Sequence, residues 1–225
     1  MVKKKKRYSI LIIIIIILAI AASRTVLLPG LNGKQLTKET KIVQGELDMT
    51  EWEPQRDGVI KLAGAWSFYW ERLLTTDDFN RGDTLEAGMY VDVPNVWNHY
   101  QKEGKHLPGN GYGTYRVKVK TDGKAASLAL KIPIMSTAYK VIIDGKTVAV
   151  NGEVAETKDR AVAAYLPQTI VFQPTAKEFD IVVQVSNYLY ARGGMWFALR
   201  LGTEGQIAGL NKEEFAIEMI IWAVR

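Results

Sequence analysis

Runs in which every second residue is apolar dominate the middle of the chain. Tyr115, Val117 and Val119 alternate with Arg116, Lys118 and Lys120. Leu128, Leu130 and Ile132 repeat the pattern, as do Tyr139, Val141 and Ile143. Phe179, Ile181, Val183 and Val185 form the longest such row, and Phe197, Leu199 and Leu201 the last. Trp66, Phe68 and Trp70, then Met89, Val91 and Val93, supply two more near the start. A period of two with one apolar face predicts half-buried antiparallel strands. Asp144-Gly145, between Tyr139–Ile143 and Thr147–Val150, predicts a tight hairpin, because a type I′ turn needs positive φ at both central residues. With no amphipathic helix between the rows, residues 55–203 are expected to form a mainly β, antiparallel sandwich or barrel and not a βαβ fold.

Two other textures flank this body. Ile10 to Ala22 is an unbroken apolar run dominated by isoleucine, preceded by Lys3–Arg7. Basic residues before an apolar stretch direct membrane insertion with the positive end left in the cytoplasm. Residues 1–28 are therefore expected to be a membrane anchor, spanning over residues 8–28 with Lys6 and Arg7 snorkelling. The rival is a cleaved signal peptide with a small-x-small site at Ala19-Ile20-Ala21. Both readings put the β-rich body outside the cytoplasm, and the anchor reading also holds it at the cell membrane. Residues 29–54, mixed and rich in turn formers at their start, read as a linker leading into the body. Residues 204–225 read as a C-terminal helix. Its stretch Phe215–Val224 is apolar with one acid, Glu218, and suits a helix arriving at a membrane with Trp222 as an interfacial anchor. An ordinary helix capping the sandwich is the competing reading.

Charge changes the picture in one respect. The chain has 29 Lys+Arg against 24 Asp+Glu, a net charge of +5. Lys3–Arg7 account for all of the excess, so the body is electrically balanced. A nucleic-acid binder needs a basic patch on its folded surface, and the balance argues against that class. With no Cys there is no disulfide framework, thiolate metal site or cysteine nucleophile.

Candidate chemistry is sparse. His99 and His106 share a loop rich in Gly, Pro and Asn, at a spacing that fits no standard zinc motif. Neither a phosphate-binding loop followed by Lys-Ser/Thr nor a G-x-S-x-G elbow occurs. Gly109-Asn110-Gly111-Tyr112-Gly113 leads into a strand and is expected to be a turn. No metal site, cofactor or catalytic set is predicted, and the chain is not expected to be an enzyme. Binding has more support. Trp97, Asn98, Tyr112, Asn187, Tyr190, Arg192 and Trp196 fall in predicted loops or at strand ends. Aromatic faces beside amide and guanidinium donors suit a small polar ligand such as a saccharide, whose CH faces stack and whose hydroxyls take hydrogen bonds. The competing reading makes Trp66, Trp70 and Trp97 core wedges between the sheets. For Trp97 and Trp196 the sequence leaves both readings open.

The ordered series of these motifs carries a resemblance. It runs from Leu62-x-Gly64-x-Trp66-x-Phe68-Tyr69-Trp70 through Val93-Pro94-x-x-Trp97-Asn98 to Gly111-x-Gly113-Thr114-Tyr115-Arg116. Thr137-Ala138-Tyr139 with Asp144-Gly145, then Val185-Ser186-Asn187 with Arg192-Gly193-Gly194, complete it. Together, over about residues 55–207, they resemble the extracellular jelly-roll domain of bacterial seven-transmembrane receptors with diverse intracellular signalling modules. That domain is similar to the sugar-binding jelly roll of family 2 glycoside hydrolases, a galactose-binding-like fold. The resemblance implies a jelly-roll sandwich that senses a carbohydrate-like ligand, followed by a short helix, membrane spans and an output module. Two other functions remain as expectations. A structural or protein-interaction module, docking a partner or a twin copy as a homodimer, would show an exposed apolar patch. A glycosidase-like enzyme would show two facing carboxylates in one cleft.

Overall fold

A computed structural model describes residues 41–81, 88–124, 127–135 and 137–223. The expected anchor at 1–28, and the first part of the linker, lie outside the described residues.

The described chain begins with β1 (Glu46–Met49), a short helix α1 (Pro54–Asp57), β2 (Ile60–Lys61), β3 (Gly64–Trp70), helix α2 (Thr76–Asn80) and β4 (Met89–Val93). It continues with β5 (Gln101–Lys102), β6 (Lys105–His106), β7 (Gly111–Thr121), β8 (Leu128–Ile132), β9 (Ala138–Ile143) and β10 (Lys146–Asn151). Then follow β11 (Gln168–Phe172), β12 (Glu178–Asn187), β13 (Arg200–Gly202) and helix α3 (Glu204–Ala223). One sheet has the order β10-β9-β12-β7-β3-β4, with β1 also on β7; the second has the order β11-β8-β13-β2. The molecule is thus a two-sheet, mainly antiparallel β-sandwich with a C-terminal helix.

The alternation is explained by the sandwich. Tyr115, Val117, Val119, Leu128, Leu130, Ile132, Tyr139, Val141, Ile181, Val183 and Val185 are all buried between the sheets. Trp66 and Phe68 join them without exposed surface, and the Trp66 indole donates to Leu62 O at 3.1 Å. Asp144 and Gly145 have φ of 48° and 77°, the two positive values the hairpin requires. Phe197 is an exception to its row: it is exposed and lies outside β13, while Leu199 and Leu201 are buried.

Part of the stretch expected to be a linker, 29–54, belongs to the sandwich. β1 runs parallel to β7, pairing Glu46 with Lys118 and Met49 with Thr121. β3 takes the rest of the same edge, pairing Ser67 with Arg116 and Trp70 with Gly113. Ile42, Leu47 and Met49 are buried in the core, which is why this segment is fixed to the sheet. A parallel pairing has no hairpin turn to announce it, so its partner is not readable locally.

α3 is docked over its first half. Thr203 and Gln206 cap it reciprocally: the Thr203 amide donates to Gln206 Oε1 at 2.9 Å and the Gln206 amide to Thr203 Oγ1 at 3.3 Å. Ile207 and Leu210 pack on Val59 and Ala129. Glu214 accepts from Lys131 of β8 and, at 2.7 Å, from Arg200 of β13, so one carboxylate grips two neighbouring strands. Beyond Glu214, Phe215, Ile217, Met219, Ile220, Ile221 and Trp222 are exposed. No helix among the described residues is long and apolar enough to cross a membrane.

Candidate functional site

At the end of the sandwich where β7 begins and β12 finishes, three loops are tied to one carbonyl. Gly109 O accepts from the Trp97 indole at 3.0 Å and from Asn187 Nδ2 at 2.8 Å. Trp97 is fully buried and meets Trp70 edge-on, with ring centroids 5.1 Å apart. Gly193 lies against the indole so closely that a Cβ there would fall 2.2 Å from a ring carbon. Asn98 fastens the same loop, donating to Ala191 O at 3.1 Å and accepting from the Gly193 amide at 3.3 Å. Trp97, Asn98 and Asn187, expected to contact ligand, therefore have their polar groups committed to the protein itself. Trp97 is a core wedge with no free face. The reason is physical: buried polar atoms must be paired, and loops at a sandwich end supply the carbonyls.

What these residues do is present others. Asn187, the last residue of β12, accepts from the Tyr190 amide at 3.1 Å and donates to Tyr190 O at 2.8 Å, gripping that residue on both sides. Asn151, the last residue of β10, does the same for a second loop. Its Nδ2 donates to Ala164 O at 2.7 Å and its Oδ1 accepts from the Leu166 amide at 3.0 Å, so it holds the backbone on both sides of Tyr165. The Tyr139 hydroxyl adds a bond to Leu166 O at 2.9 Å. Two buried asparagines at the ends of two strands thus each hold out one exposed tyrosine.

The two tyrosines meet. Their ring centroids are 6.0 Å apart, and Trp196 continues the file 6.2 Å from Tyr190. The neighbouring Tyr190 hydroxyl, with some burial, pushes the Tyr165 hydroxyl up to about 12. Trp196 is only partly exposed, and its indole N–H is buried without an acceptor among the described residues. Of the residues expected at the site, the structure brings Tyr190 and Trp196 into this file. Arg192 stands exposed at the tip of the loop between them. Tyr112 lies apart, beside Tyr188 and Glu156, where burial raises its hydroxyl. Tyr165 and Asn151 were not anticipated. The one local signal, Asn151-Gly152, reads as a turn, and only the fold shows that its amide reaches Ala164 and Leu166.

His106 lies in the neighbouring exposed hairpin β5–β6, and His99 just before it. His99 Nδ1 lies 2.8 Å from Asn95 Oδ1, and His106 Nδ1 lies 3.0 Å from Asn98 O. At the opposite end of the sandwich two clefts adjoin at Asp144 and Thr175. One, of about 650 Å³, includes Ser127, Val148 and Phe172; the other, of about 370 Å³, includes Thr76, Lys118 and Asp180. Asp180 is engaged there in a fork from Arg116, at 3.1 and 2.9 Å.

No protein-family model matches the chain, and no curated protein does. Among solved structures the chain is distantly similar to part of family 2 glycoside hydrolases. A β-galacturonidase of that family from Eisenbergiella tayi, bound to glycerol, is 17% identical with a TM-score of 0.45, over 64% of this chain and 24% of that one. A β-glucuronidase from an uncultured Clostridium sp. is 17% identical with a TM-score of 0.47, over 64% and 28%. A β-glucuronidase from Ruminococcus gnavus is 13% identical with a TM-score of 0.47, again over 64% and 28%. The chain spans about a quarter of the length of these enzymes.

Proposed function

We propose that this chain is the extracytoplasmic sensing domain of a bacterial membrane receptor. In this reading it is a non-enzymatic jelly-roll sandwich that binds a small polar, carbohydrate-like ligand. Residues 8–28 tether it, and residues 215–225 meet the membrane. The observation that carries the reading is the file Tyr165–Tyr190–Trp196, held out on a backbone fixed by Asn151 and Asn187. Rings fixed before the ligand arrives lose little freedom on binding, which is what a recognition surface needs. Signalling requires the ligand to favour one of two arrangements of sandwich and helix. A short path supports that requirement: Trp196 is followed by buried Leu199, then by Arg200, which holds Glu214 of α3.

Calorimetry and tryptophan fluorescence against a panel of neutral sugars test the reading. Saturable binding is expected, weakened by Tyr190→Ala in a protein that still folds. Absence of heat and of any fluorescence change across the panel would overturn it.

A second reading, a tethered structural or protein-interaction module that docks a partner or a twin, is favoured by a different observation. Beyond Glu214, α3 is apolar apart from Glu218, and its large side chains are uncovered by the rest of the described chain. Self-association in lipid-free solution that disappears on reconstitution into bilayers would assign that surface to the membrane. Dimers persisting in bilayers would favour the second reading.

A further inference from the structure

The file of rings also constrains the size and shape of the ligand. We infer that Tyr165, Tyr190 and Trp196 read a neutral oligosaccharide chain of at least three pyranose rings that turns between residues, as α-1,4-linked glucose does. This rests on the saccharide reading proposed above and specifies it.

Stacking requires a sugar face to lie parallel to an aromatic ring, so one monosaccharide satisfies one member of the file. The three rings are spaced 6.0 and 6.2 Å apart, comparable to the advance of one sugar along a chain. Their planes are inclined by 58° between Tyr165 and Tyr190, and by 45° between Tyr190 and Trp196. A flat, ribbon-like chain keeps its ring planes aligned and would leave two of three rings unmatched. A chain whose faces rotate from one sugar to the next can meet each ring in succession.

The polar groups point the same way. Three amides at this end are committed to backbone and are not free to form a hydrogen-bonding net around one sugar: Asn98 to Ala191 and Gly193, Asn151 to Ala164 and Leu166, Asn187 to Gly109 and Tyr190. Recognition falls mainly to ring faces, with the phenol hydroxyls and the exposed Arg192 beside them as polar contacts. Such a surface gains affinity by adding stacked units and has no fixed cluster of charge with which to select a charged sugar. A proline-rich peptide also stacks on aromatic rings, but it docks in an aromatic-lined groove, whereas these rings stand in single file.

The test uses the full chain in a detergent without a sugar headgroup. It is titrated with malto-oligosaccharides of one to six rings and with cello-oligosaccharides of the same lengths. The dissociation constant is expected to fall by about threefold to tenfold for each added ring up to the third in the malto series, then level. Tyr165→Ala should abolish the gain from one ring, while Tyr165→Phe should retain it; near-ultraviolet circular dichroism checks that both variants keep the native packing. Glucose binding as tightly as maltotriose would overturn the chain reading and leave saccharide binding standing. Tighter binding of the cello series would overturn the turning geometry alone. If no saccharide bound, or only a proline-rich peptide did, both this inference and the reading beneath it would fall.

Discussion

Two regions of this molecule depart from the usual distribution of polar and apolar groups, in opposite senses. At the ring-bearing end, amide side chains are interior: Asn151 is 3% and Asn187 0% exposed. Along the far half of α3, large apolar side chains are exterior: Phe215 is 63% and Trp222 79% exposed. The first departure is self-sufficient, because each amide finds its partners within the same protein. The second is incomplete, because nothing in the described chain covers it. A buried polar group with all its bonds made fixes a conformation, whereas an uncovered apolar helix calls for an apolar surrounding. The first region is built to hold something still, and the second to be placed against something else.

Three changes would break or sharpen that contrast. The largest effect is expected from Trp97→Ala, which opens a cavity against Trp70 and leaves Gly193 unsupported. Urea unfolding should show a loss of about 3–5 kcal/mol. A loss well under 1 kcal/mol would mean that the indole is a surface group after all. Asn187→Ala comes next. It leaves Gly109 O, Tyr190 N–H and Tyr190 O without their present partner, and should cost about 2–3 kcal/mol in the same measurement. A stable Asn187→Ala protein with unchanged ligand binding would refute the idea that this amide presents Tyr190.

The smallest of the three concerns the junction between the regions. Burial alone would raise the Glu214 carboxyl, but the hydrogen bond and charge of Lys131, with Arg200, outweigh it and hold the group below its usual value. A carboxylate lowered by folding contributes stability above its unfolded value and loses that contribution as pH falls through the lowered one. Thermal unfolding from neutral into acid solution should therefore show the wild type falling toward Glu214→Gln. At neutral pH the two should differ by about 1 kcal/mol, since the carboxylate is partly solvated. Parallel curves at all pH values would show that the carboxylate does not couple helix to sandwich.

The sandwich was largely legible because its core obeys a local rule. Phe179, Ile181, Val183 and Val185 face one way whatever their partners are, and Asp144-Gly145 dictates its own turn. β1 was not legible, since its reason for being a strand is Lys118–Thr121, far along the chain and parallel to it. Trp97 was ambiguous for a similar cause: an aromatic residue beside Asn and Gly looks the same whether its ring faces solvent or Gly193. The ring file was half visible. Tyr190 and Trp196 stood out among loop residues, but Tyr165 acquires its place through Asn151, fourteen positions earlier, and Tyr139. Long-range amide-to-backbone bonds have no periodicity to detect.

The grip of Glu214 on two strands has a mechanical consequence. From Ile207 to Glu214 the helix is bound to one sheet through packing on Ala129 and the bonds of Glu214 to Lys131 and Arg200. The nine residues from Phe215 to Ala223 then form an arm about 13 Å long at 1.5 Å per residue. A rotation of that sheet by about 5°, too small to disturb its hydrogen bonds, would carry Trp222 through about 1 Å. The sandwich can therefore stay closed and well packed while its far tip reports a turn of the sheet as a displacement.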